Sequence, residues 1–576
     1  MMCNIKKGEN MKKLLTILLS VFMLVGLVAC GGTDNGGDEV FTVTAVLASE
    51  PETIDPSMIS SVDGNTYVQH LYEPLLHYVS TGKKAADDDK MNSMSLELGQ
   101  AKSMDITKGD AGQTIYTFTL RDDILWSDGQ PVTAYDFEYS WKRIMNPDLA
   151  ADYGYLLPDL GLLGAAEYYY EGGSVDDVKA YAVDDKTFVV EMATELVFFD
   201  QVCAFGNLVP LRQDIIEANP DTWTDPSVGV YNGPYVLKEW VHDSYLLMVP
   251  NEKYYNPSVV GPQQLKFYLT DDENAILQSY QSGEFDFIES FPTDMIPSLK
   301  ESGDFHALSA VTTYYLYLNC DHLTDWRVRA AITLCIDRDN IVENVTQGGQ
   351  TPASSLVTGG ITDSTGATWA NGTGKDEAMW NYLASANPDY DLTTYAGRCE
   401  LAKKLLADAV ADGFDTSVTI PYRFNNLGSH GQIAEAVQQD VINVLGLNMT
   451  MDSTEWSVYT STLSTDRAWN VARLGWQADY LDGSTFIDLF KTGNAYNYSN
   501  WSNPEFDKLC AQYASMEGGA ERDAVMYAAE KLMFAEGGFP CSPLYYYTNP
   551  YCLASNVTGV CNSALGFFVF TFAQAK

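Results

Sequence analysis

The sequence is poor in basic residues and histidine, and it lacks the common catalytic motifs. Its 34 lysines and arginines face 77 aspartates and glutamates, which gives a formal net charge of −43. A chain of this charge repels polyanions, so we expect no nucleic-acid partner. Only six histidines are present. No G-x-S-x-G, H-E-x-x-H, phosphate-binding loop or dinucleotide-binding glycine motif occurs, so the sequence predicts neither an enzyme nor a cofactor.

The cysteines form no C-x-x-C pair, which argues against zinc ribbons and thioredoxin-type redox sites. Ten cysteines are present. Cys541, Cys552 and Cys561 lie close enough in the sequence for one disulfide. The pattern leaves their pairing open, and a fully reduced protein is the alternative.

The first thirty residues read as a targeting segment rather than as part of the fold. Its basic residues are Lys6, Lys7, Lys12 and Lys13. An apolar run over 14–25 and the sequence L-V-A-C ending at Cys30 follow. This pattern resembles a bacterial lipoprotein signal, which implies a signal peptide over 1–29, lipidation of Cys30 and a flexible tether over 30–39. An ordinary secretory signal or an uncleaved anchor is the alternative.

The body of the chain alternates strand-like and helix-like stretches, which favours α/β lobes. Residues 40–48 read as a strand, and T-I-Y-T-F-T-L over 114–120 alternates cleanly and predicts another. A helix is predicted over 66–79, interrupted at Pro74. The polar residues over 81–92 predict a solvated loop.

A tight turn and a helix start are predicted after the strand over 114–120. Asp128 and Gly129 are typical of the turn. Thr133 is a candidate N-cap, with Asp136 three residues later in the first helical turn. These features describe a hairpin that leads into a helix, and they imply no catalytic chemistry.

The stretch over 470–480, N-V-A-R-L-G-W-Q-A-D-Y, carries the strongest candidate for a binding site. Alternating side chains predict a strand. Gly475 removes a side chain near the end of this strand, which lets another backbone approach. Trp476 and Tyr480 supply apolar walls, and Asp479 places one negative charge between them. Such a corner can hold an ammonium group; a core tryptophan beside a surface aspartate is the alternative.

Motifs in a fixed order connect this stretch to a known family. The segment over 115–143 contains T-F-T-L-R, W-S-D-G-Q-P-V-T-A-Y-D-F and S-W-K-R. It is followed by N-G-P-Y over 232–235, by R-A-A-I-T-L-C-I-D-R over 329–338 and by G-W-Q-A-D-Y over 475–480. Together they resemble the signature of solute-binding proteins of peptide ABC transporters, the dipeptide/oligopeptide/nickel class. The resemblance covers about residues 40–576.

The resemblance implies an α/β, three-lobed, periplasmic-binding-protein-like clamshell with mixed sheets and an interleaved chain. The expected lobes are 40–63 with 210–292 and 548–576 for lobe I, 64–209 for lobe II and 293–547 for lobe III. Hinge strands near 293 and 547 would let the lobes close on a ligand.

The resemblance also implies site residues. Asp479 takes the place of the aspartate that holds the ligand ammonium. Arg473 takes the place of an arginine that can meet the ligand carboxylate, with an internal salt bridge as the alternative. His430 falls where some relatives place a histidine near the carboxyl end of longer peptides, with a solvated helix start as the alternative. Tyr153 matches an aromatic residue that covers the ligand, with core packing as the alternative.

Glu50 matches a residue of a first-lobe strand that lies along the peptide in relatives. The sequence departs from the family pattern here, because Pro51 follows and proline has no amide hydrogen to donate. One main-chain hydrogen bond that relatives make is therefore in doubt.

The expected function is that of a lipid-anchored binding protein at the extracellular face of the cytoplasmic membrane. It would capture oligopeptides as a monomer and deliver them to the permease subunits of an ABC importer. The alternatives are the same fold binding a non-peptide solute (a nickel chelate, haem or a sugar) or a signalling peptide, and a surface hydrolase.

Overall fold

The structure is a computed structural model that describes residues 40–47, 50–51, 53–85, 88, 90–370, 377–426 and 428–576. The predicted signal peptide, the tether and Cys30 lie outside the described residues, so they stay predictions. Residues Thr42–Lys576 form one compact unit.

Strands supply most of the framework. They are β1 (Thr42–Val46), β2 (Leu76–Lys84), β3 (Asn92–Leu98), β4 (Ala101–Lys108), β5 (Thr114–Leu120), β6 (Ala180–Asp184), β7 (Thr187–Met192), β8 (Tyr235–Val241), β9 (Tyr245–Pro250), β10 (Gln264–Tyr268), β11 (Phe287–Ile288), β12 (His306–Leu318), β13 (Thr351–Pro352), β14 (Thr419–Asn425), β15 (Asn448–Thr454), β16 (Val471–Gln477), β17 (Cys541–Leu553), β18 (Val557–Thr558), β19 (Cys561–Asn562), β20 (Phe568–Val569) and β21 (Gln574–Ala575).

Helices pack between and beside these strands. They are α1 (Val62–Leu71), α2 (Ala134–Ile144), α3 (Leu156–Asp159), α4 (Ala165–Glu171), α5 (Phe199–Val202), α6 (Gln213–Ala218), α7 (Glu273–Ser282), α8 (Ile296–Ser302), α9 (Trp326–Cys335), α10 (Arg338–Asn340), α11 (Ala378–Ala386), α12 (Tyr395–Ala411), α13 (His430–Asp440), α14 (Trp456–Thr465), α15 (Ser484–Ile487), α16 (Pro504–Ala514) and α17 (Ala520–Met533). None of these described helices is both long enough and apolar enough to cross a bilayer.

The largest sheet has eleven strands and mixes parallel with antiparallel pairs. Its order is β15-β14-β16-β12-β17-β11-β1-β10-β9-β8, with β13 beside β17. Two four-stranded sheets have the orders β4-β5-β7-β6 and β2-β3-β19-β20, and β18 pairs with β21. Strands near the C-terminus thus pair with strands from both the beginning and the middle of the chain. The predicted α/β class with mixed sheets and an interleaved chain is confirmed, whereas the lobe boundaries stay a prediction.

Several local predictions are confirmed and two are partly wrong. The strands over 40–48 and 114–120 are present as β1 and β5. The carboxylate of Asp136 accepts hydrogen bonds from the Thr133 amide at 2.8 Å and hydroxyl at 3.1 Å at the start of α2. The helix predicted over 66–79 is wrong beyond Leu71, since α1 ends there and β2 begins at Leu76. Pro74 disfavours helical backbone in the residue before it, and the chain leaves the helix accordingly. The loop predicted over 81–92 is also shorter, because β2 continues to Lys84 and β3 begins at Asn92.

The core of the large sheet is built on β12. Residues 314–318 of this strand, Y-Y-L-Y-L, are fully buried. They pack in one cluster with apolar side chains of α9, α12 and β16. A strand buried on both faces provides the rigid support on which the neighbouring β16 lies.

Two buried arginines explain the R-x-x-x-x-x-x-x-x-R spacing of the family-like motif. Arg329 donates hydrogen bonds to backbone carbonyls of Leu323, Thr324 and residues 537–539. Arg338 donates to the carbonyls of Pro543, Thr333 and Ile336 and to the Ser542 hydroxyl. Both side chains therefore connect α9 to the chain around the start of β17. Their partners are carbonyl oxygens, one hydroxyl and the Met379 sulfur rather than carboxylates.

We expect Arg329→Met to lower the free energy of unfolding by about 3 kcal/mol or more, because buried carbonyls lose their donors. The measurement is the urea midpoint followed by circular dichroism. Arg327→Met is the matched control: Arg327 lies two residues away and forms partly exposed ion pairs with Asp325 and Asp412. The Arg327→Met substitution should lower the free energy of unfolding by about 1 kcal/mol or less. Equal losses in the two variants would contradict the proposed role of Arg329.

Candidate functional site

Strand β16 is paired along its whole length on one edge but only at its start on the other. On one side, β12 matches it from Leu318 opposite Val471 to Thr312 opposite Gln477. On the other side, β14 reaches only Val471 and Ala472. Among the described residues, no strand covers this second edge over 473–477. The predicted strand over 470–480 is thus confirmed, and most of one edge is open.

Hydrogen bonds at the two ends identify the backbone groups that face the open edge. The Ala478 amide donates to the Val311 carbonyl, toward β12. The Tyr459 hydroxyl donates to the Arg473 carbonyl from the opposite side. Because backbone groups alternate between the two edges along a strand, the amides and carbonyls of Gly475 and Gln477 face the open edge.

A cavity of about 690 Å³ lies against β16. Residues 474–479 form one wall, and residues 60–62 at the start of α1, several residues of α14 and the turn at Asp152 and Tyr153 form others. Aromatic side chains complete the lining: Phe205, Trp456, Trp476, Tyr496, Tyr498 and Phe567. The volume is in the range of pockets that hold small ligands.

Asp479 places a buried carboxylate at the end of β16. Its side chain is 9% exposed. The Tyr153 hydroxyl donates a 3.0 Å hydrogen bond to its Oδ1. No described lysine or arginine forms an ion pair with it. Burial raises the pKa of Asp479 to about 7, against the opposing effect of the Tyr153 hydrogen bond. The group is a strong acceptor whose negative charge lacks a countercharge, which favours binding of a cation.

Thr485 fixes both the wall and the carboxylate of this corner. Its Oγ1 accepts a 3.3 Å hydrogen bond from the Trp476 indole and a 3.2 Å hydrogen bond from the Asp479 amide. The Trp476 ring meets the Tyr496 ring edge-on at a centroid distance of 5.0 Å. Trp476, one of the two predicted walls, thus lines the cavity, and the Thr485 hydroxyl holds its indole.

The turn after Asp479 is anchored on two sides. The ring of Tyr480 stacks on Phe198 at a centroid distance of 3.9 Å and an interplanar angle of 2°. Three residues further on from Asp479, Asp482 forms a buried ion pair with Arg522 at 2.6 Å. Tyr480 therefore packs against a distant segment of the chain, and the ion pair holds the turn from behind.

Gly475 lines the cavity, and a side chain at this position would point toward a tyrosine. A Cβ at this position would lie 3.3 Å from the ring of Tyr547. The glycine therefore relieves crowding with the neighbouring ring of β17, and its backbone faces the open edge.

Arg473 and His430 meet at the opposite end of the open edge. Arg473 is 6% exposed and donates a 2.6 Å hydrogen bond to Asn425 Oδ1. Its guanidinium lies 5.7 Å from the ring centre of Tyr314, and the His430 ring packs on the same tyrosine at 5.6 Å. Burial, and secondarily the charge of Arg473, lower the pKa of His430 to about 2. Among the described residues, Arg473 has no carboxylate partner.

Glu50 is held away from this cavity. Its carboxylate accepts hydrogen bonds from the Trp240 indole at 2.7 Å and from the Asp243 amide at 2.8 Å, and it contacts His242. It is not among the residues that line the cavity. The structure thus brings Asp479, Trp476, Gly475 and Tyr153 to the cavity. The other four predicted site residues, Arg473, His430, Tyr480 and Glu50, are not among its lining residues.

The eight described cysteines, including Cys541, Cys552 and Cys561, are free thiols, and seven of them are buried. Of the two states that the sequence left open, the structure has the reduced one. Among the described residues, no group of three or more histidines, cysteines, aspartates or glutamates is arranged to hold a metal ion.

Sequence reasoning missed Thr485, Phe198 and the tyrosines at 496 and 498. Thr485 follows Asp479 by six residues, and a hydroxyl residue at a short helix start is a weak signal that could have been read. Phe198 and the two tyrosines come from distant parts of the chain, so only the folded structure associates them with Asp479.

Comparisons with known proteins agree with this geometry. The model for bacterial extracellular solute-binding proteins, family 5 (middle), matches residues 101–498. The chain is 30% identical to the oligopeptide-binding protein OppA of Bacillus subtilis, over 97% of this chain and 98% of the relative. It is 29% identical to the periplasmic oligopeptide-binding protein OppA of Escherichia coli, over 87% of this chain and 86% of the relative.

Solved structures show the same fold. The murein tripeptide-binding protein MppA of Escherichia coli superposes with a TM-score of 0.76 at 26% identity, over 92% of this chain and 98% of that one. The OppA protein of Burkholderia pseudomallei superposes with a TM-score of 0.75 at 26% identity, over 90% and 96%. The resemblance seen in the motifs and the periplasmic-binding-protein fold are both confirmed. The chain belongs to family 5 of the bacterial extracellular solute-binding proteins.

Proposed function

We propose that the protein captures oligopeptides outside the cytoplasm, on a lipid anchor, and delivers them to an ABC importer. The observation that carries this proposal is the buried carboxylate of Asp479 at the end of a strand with an open edge. This arrangement matches what all peptides share, namely an ammonium group followed by a row of amides.

The ammonium group binds Asp479. A carboxylate accepts several hydrogen bonds, so the bond from Tyr153 leaves acceptor positions for the ligand. Charge-assisted hydrogen bonds in a buried site are short and strong. Because the negative charge of Asp479 has no cationic partner among the described residues, an incoming ammonium supplies the countercharge.

The ligand backbone then pairs with β16. The amides and carbonyls of Gly475 and Gln477 face the open edge, and an extended peptide presents complementary groups at the same spacing. Strand addition of this kind supplies affinity that does not depend on ligand side chains. Tyr153 and Trp476 supply aromatic surfaces beside the ligand at the Asp479 end.

Arg473 and His430 serve the far end of the ligand. Asp479 lies six residues beyond Arg473, which corresponds to roughly 20 Å of extended chain. A carboxylate that reaches Arg473 would pair with a guanidinium that now contacts Asn425, Tyr314 and Trp456. Glu50 keeps its predicted place beside the peptide only if its present hydrogen bonds rearrange.

The location and partners of the protein form part of the proposal. Lipidation of Cys30 would tether the binding unit to the outer face of the membrane. Two relatives are named as periplasmic or oligopeptide-binding proteins. The permease subunits of an importer would receive the ligand, and ATP hydrolysis by its partner chains would supply the energy, so the protein itself performs no chemistry.

Material released from the purified protein tests the ligand class. We expect denaturation to release a mixture of short peptides, identified by mass spectrometry. Release of a single non-peptide species would contradict the proposal.

Asp479→Asn should weaken the binding of free-amine peptides by roughly 2–5 kcal/mol, because the ligand ammonium loses its charged partner. The measurement is calorimetric titration with one peptide and its N-acetylated form. The acetylated form should bind the wild type poorly and should bind both proteins alike. If acetylation makes no difference to the wild type, Asp479 does not hold the ammonium.

Binding should also depend on pH through Asp479. Its pKa of about 7 in the free protein means that protonation competes with the ligand as the pH falls. Between pH 6 and 5 affinity should decrease about tenfold, as expected for one proton displaced on binding. Above about pH 8 affinity should decrease again, because the ligand amine loses its proton.

Calorimetry in buffers with different ionisation enthalpies would count the protons released at pH 6. The Asp479→Asn variant should release none and should show a flat profile from pH 5 to 7. A wild-type profile that is flat over the same range would contradict the assignment.

A further inference from the structure

The charged side chains that line the cavity are all of one sign. The described lining contains Asp152 and Asp479 and no lysine, arginine or histidine. Asp479 is matched by the ligand ammonium under the proposed function. Asp152 is then a second negative charge in the lining with no role assigned to it.

Asp152 lies at the same end of the cavity as Asp479. It directly precedes Tyr153, whose hydroxyl donates to Asp479. It is exposed, and no described lysine or arginine forms an ion pair with it. Its charge acts on the hydroxyls of Tyr496 and Tyr498, and it contributes to raising the pKa of both. Asp152, Tyr496 and Tyr498 all line the same cavity.

Two tyrosine rings form a wall beside this carboxylate. The rings of Tyr496 and Tyr498 lie 6.1 Å apart and are inclined at 66°. Ring faces attract ammonium and guanidinium groups, and their apolar surface also accommodates the methylene groups of a lysine or arginine side chain. The positive charge of Arg467 opposes the rise in the pKa of Tyr498, but Arg467 is not among the described lining residues.

We propose that the cavity selects peptides with a cationic side chain at the first or second residue, and that Asp152 pairs with this side chain while Tyr496 and Tyr498 flank it. The proposal rests on the proposed function, because Asp479 must fix the amino end of the ligand. It adds a preference for lysine or arginine at one end, whereas main-chain pairing with β16 serves every peptide alike.

The test compares tripeptides that carry lysine, norleucine or glutamate at position 1, 2 or 3 and alanine elsewhere. Norleucine keeps the apolar length of lysine but removes its charge. In the wild type at low salt, lysine at position 1 or 2 should bind roughly three- to tenfold more tightly than norleucine, and glutamate more weakly than norleucine. At position 3 the lysine advantage should be smaller.

Asp152→Asn should abolish the advantage of lysine over norleucine, measured as the ratio of the two affinities within the variant, so that any general loss of affinity cancels. Asp148→Asn is the matched control: it is an exposed aspartate four residues earlier and is not among the described lining residues. It removes the same formal charge and should leave the advantage intact. In the wild type, the advantage should also decrease as sodium chloride rises, because salt screens an exposed ion pair.

The outcomes separate the two proposals. If lysine and norleucine peptides bind the wild type equally, or if Asp152→Asn keeps the difference, selection by Asp152 is wrong. If acetylation still abolishes binding in that case, the proposed peptide-binding function stands. If no peptide binds the wild type, both proposals are wrong.

Discussion

Backbone hydrogen-bonding groups need partners, and this constraint explains why β16 is the functional strand of the protein. Its pairing with β12 is complete, while β14 ends its pairing after Ala472. The backbone amides and carbonyls of Gly475 and Gln477 therefore face the cavity without a partner strand among the described residues. A buried amide or carbonyl without a partner costs about 1–3 kcal/mol, so an open strand edge in a cavity is satisfied only by water or by a ligand backbone. The fully buried residues 314–318 of β12 support this edge from the paired side of β16.

A second constraint is the position of one carboxylate. Desolvation alone would neutralise Asp479, which is why its pKa lies near 7. Its backbone is nevertheless held in place by Thr485, and the ion pair of Arg522 with Asp482 secures the turn behind it. A charge held by a rigid shell needs little rearrangement when a cation arrives, which lowers the entropic cost of binding. The buried side chains of Arg329 and Arg338 contribute to the stability of the fold rather than to the site.

The sequence predicted the elements whose signals are local. Alternation predicted β5 and β16, and the Thr133–Asp136 pair predicted the start of α2, because each depends on residues a few positions apart. The helix predicted over 66–79 was wrong beyond Leu71, because the short apolar run after Pro74 fits a helix and a strand alike. Asp479 and Trp476 were found through their place in a family-like motif. Phe198 and Asp152 could not be assigned, because their importance depends on contacts with residues that are distant in sequence.

The hydrogen bond between Tyr153 and Asp479 links the binding carboxylate to a distant part of the chain. It joins residues 326 positions apart and spans the segments predicted as lobes II and III. Phe198 on Tyr480 and the Gln201 side chain on the Leu481 amide at 2.6 Å join the same two segments. A neutral hydroxyl offsets only part of the desolvation of the carboxylate, since the pKa of Asp479 remains raised. A ligand ammonium at the remaining acceptor positions would offset the rest without displacing Tyr153. Ligand binding and the association of the two segments would therefore stabilise each other, because both act on the same charged group.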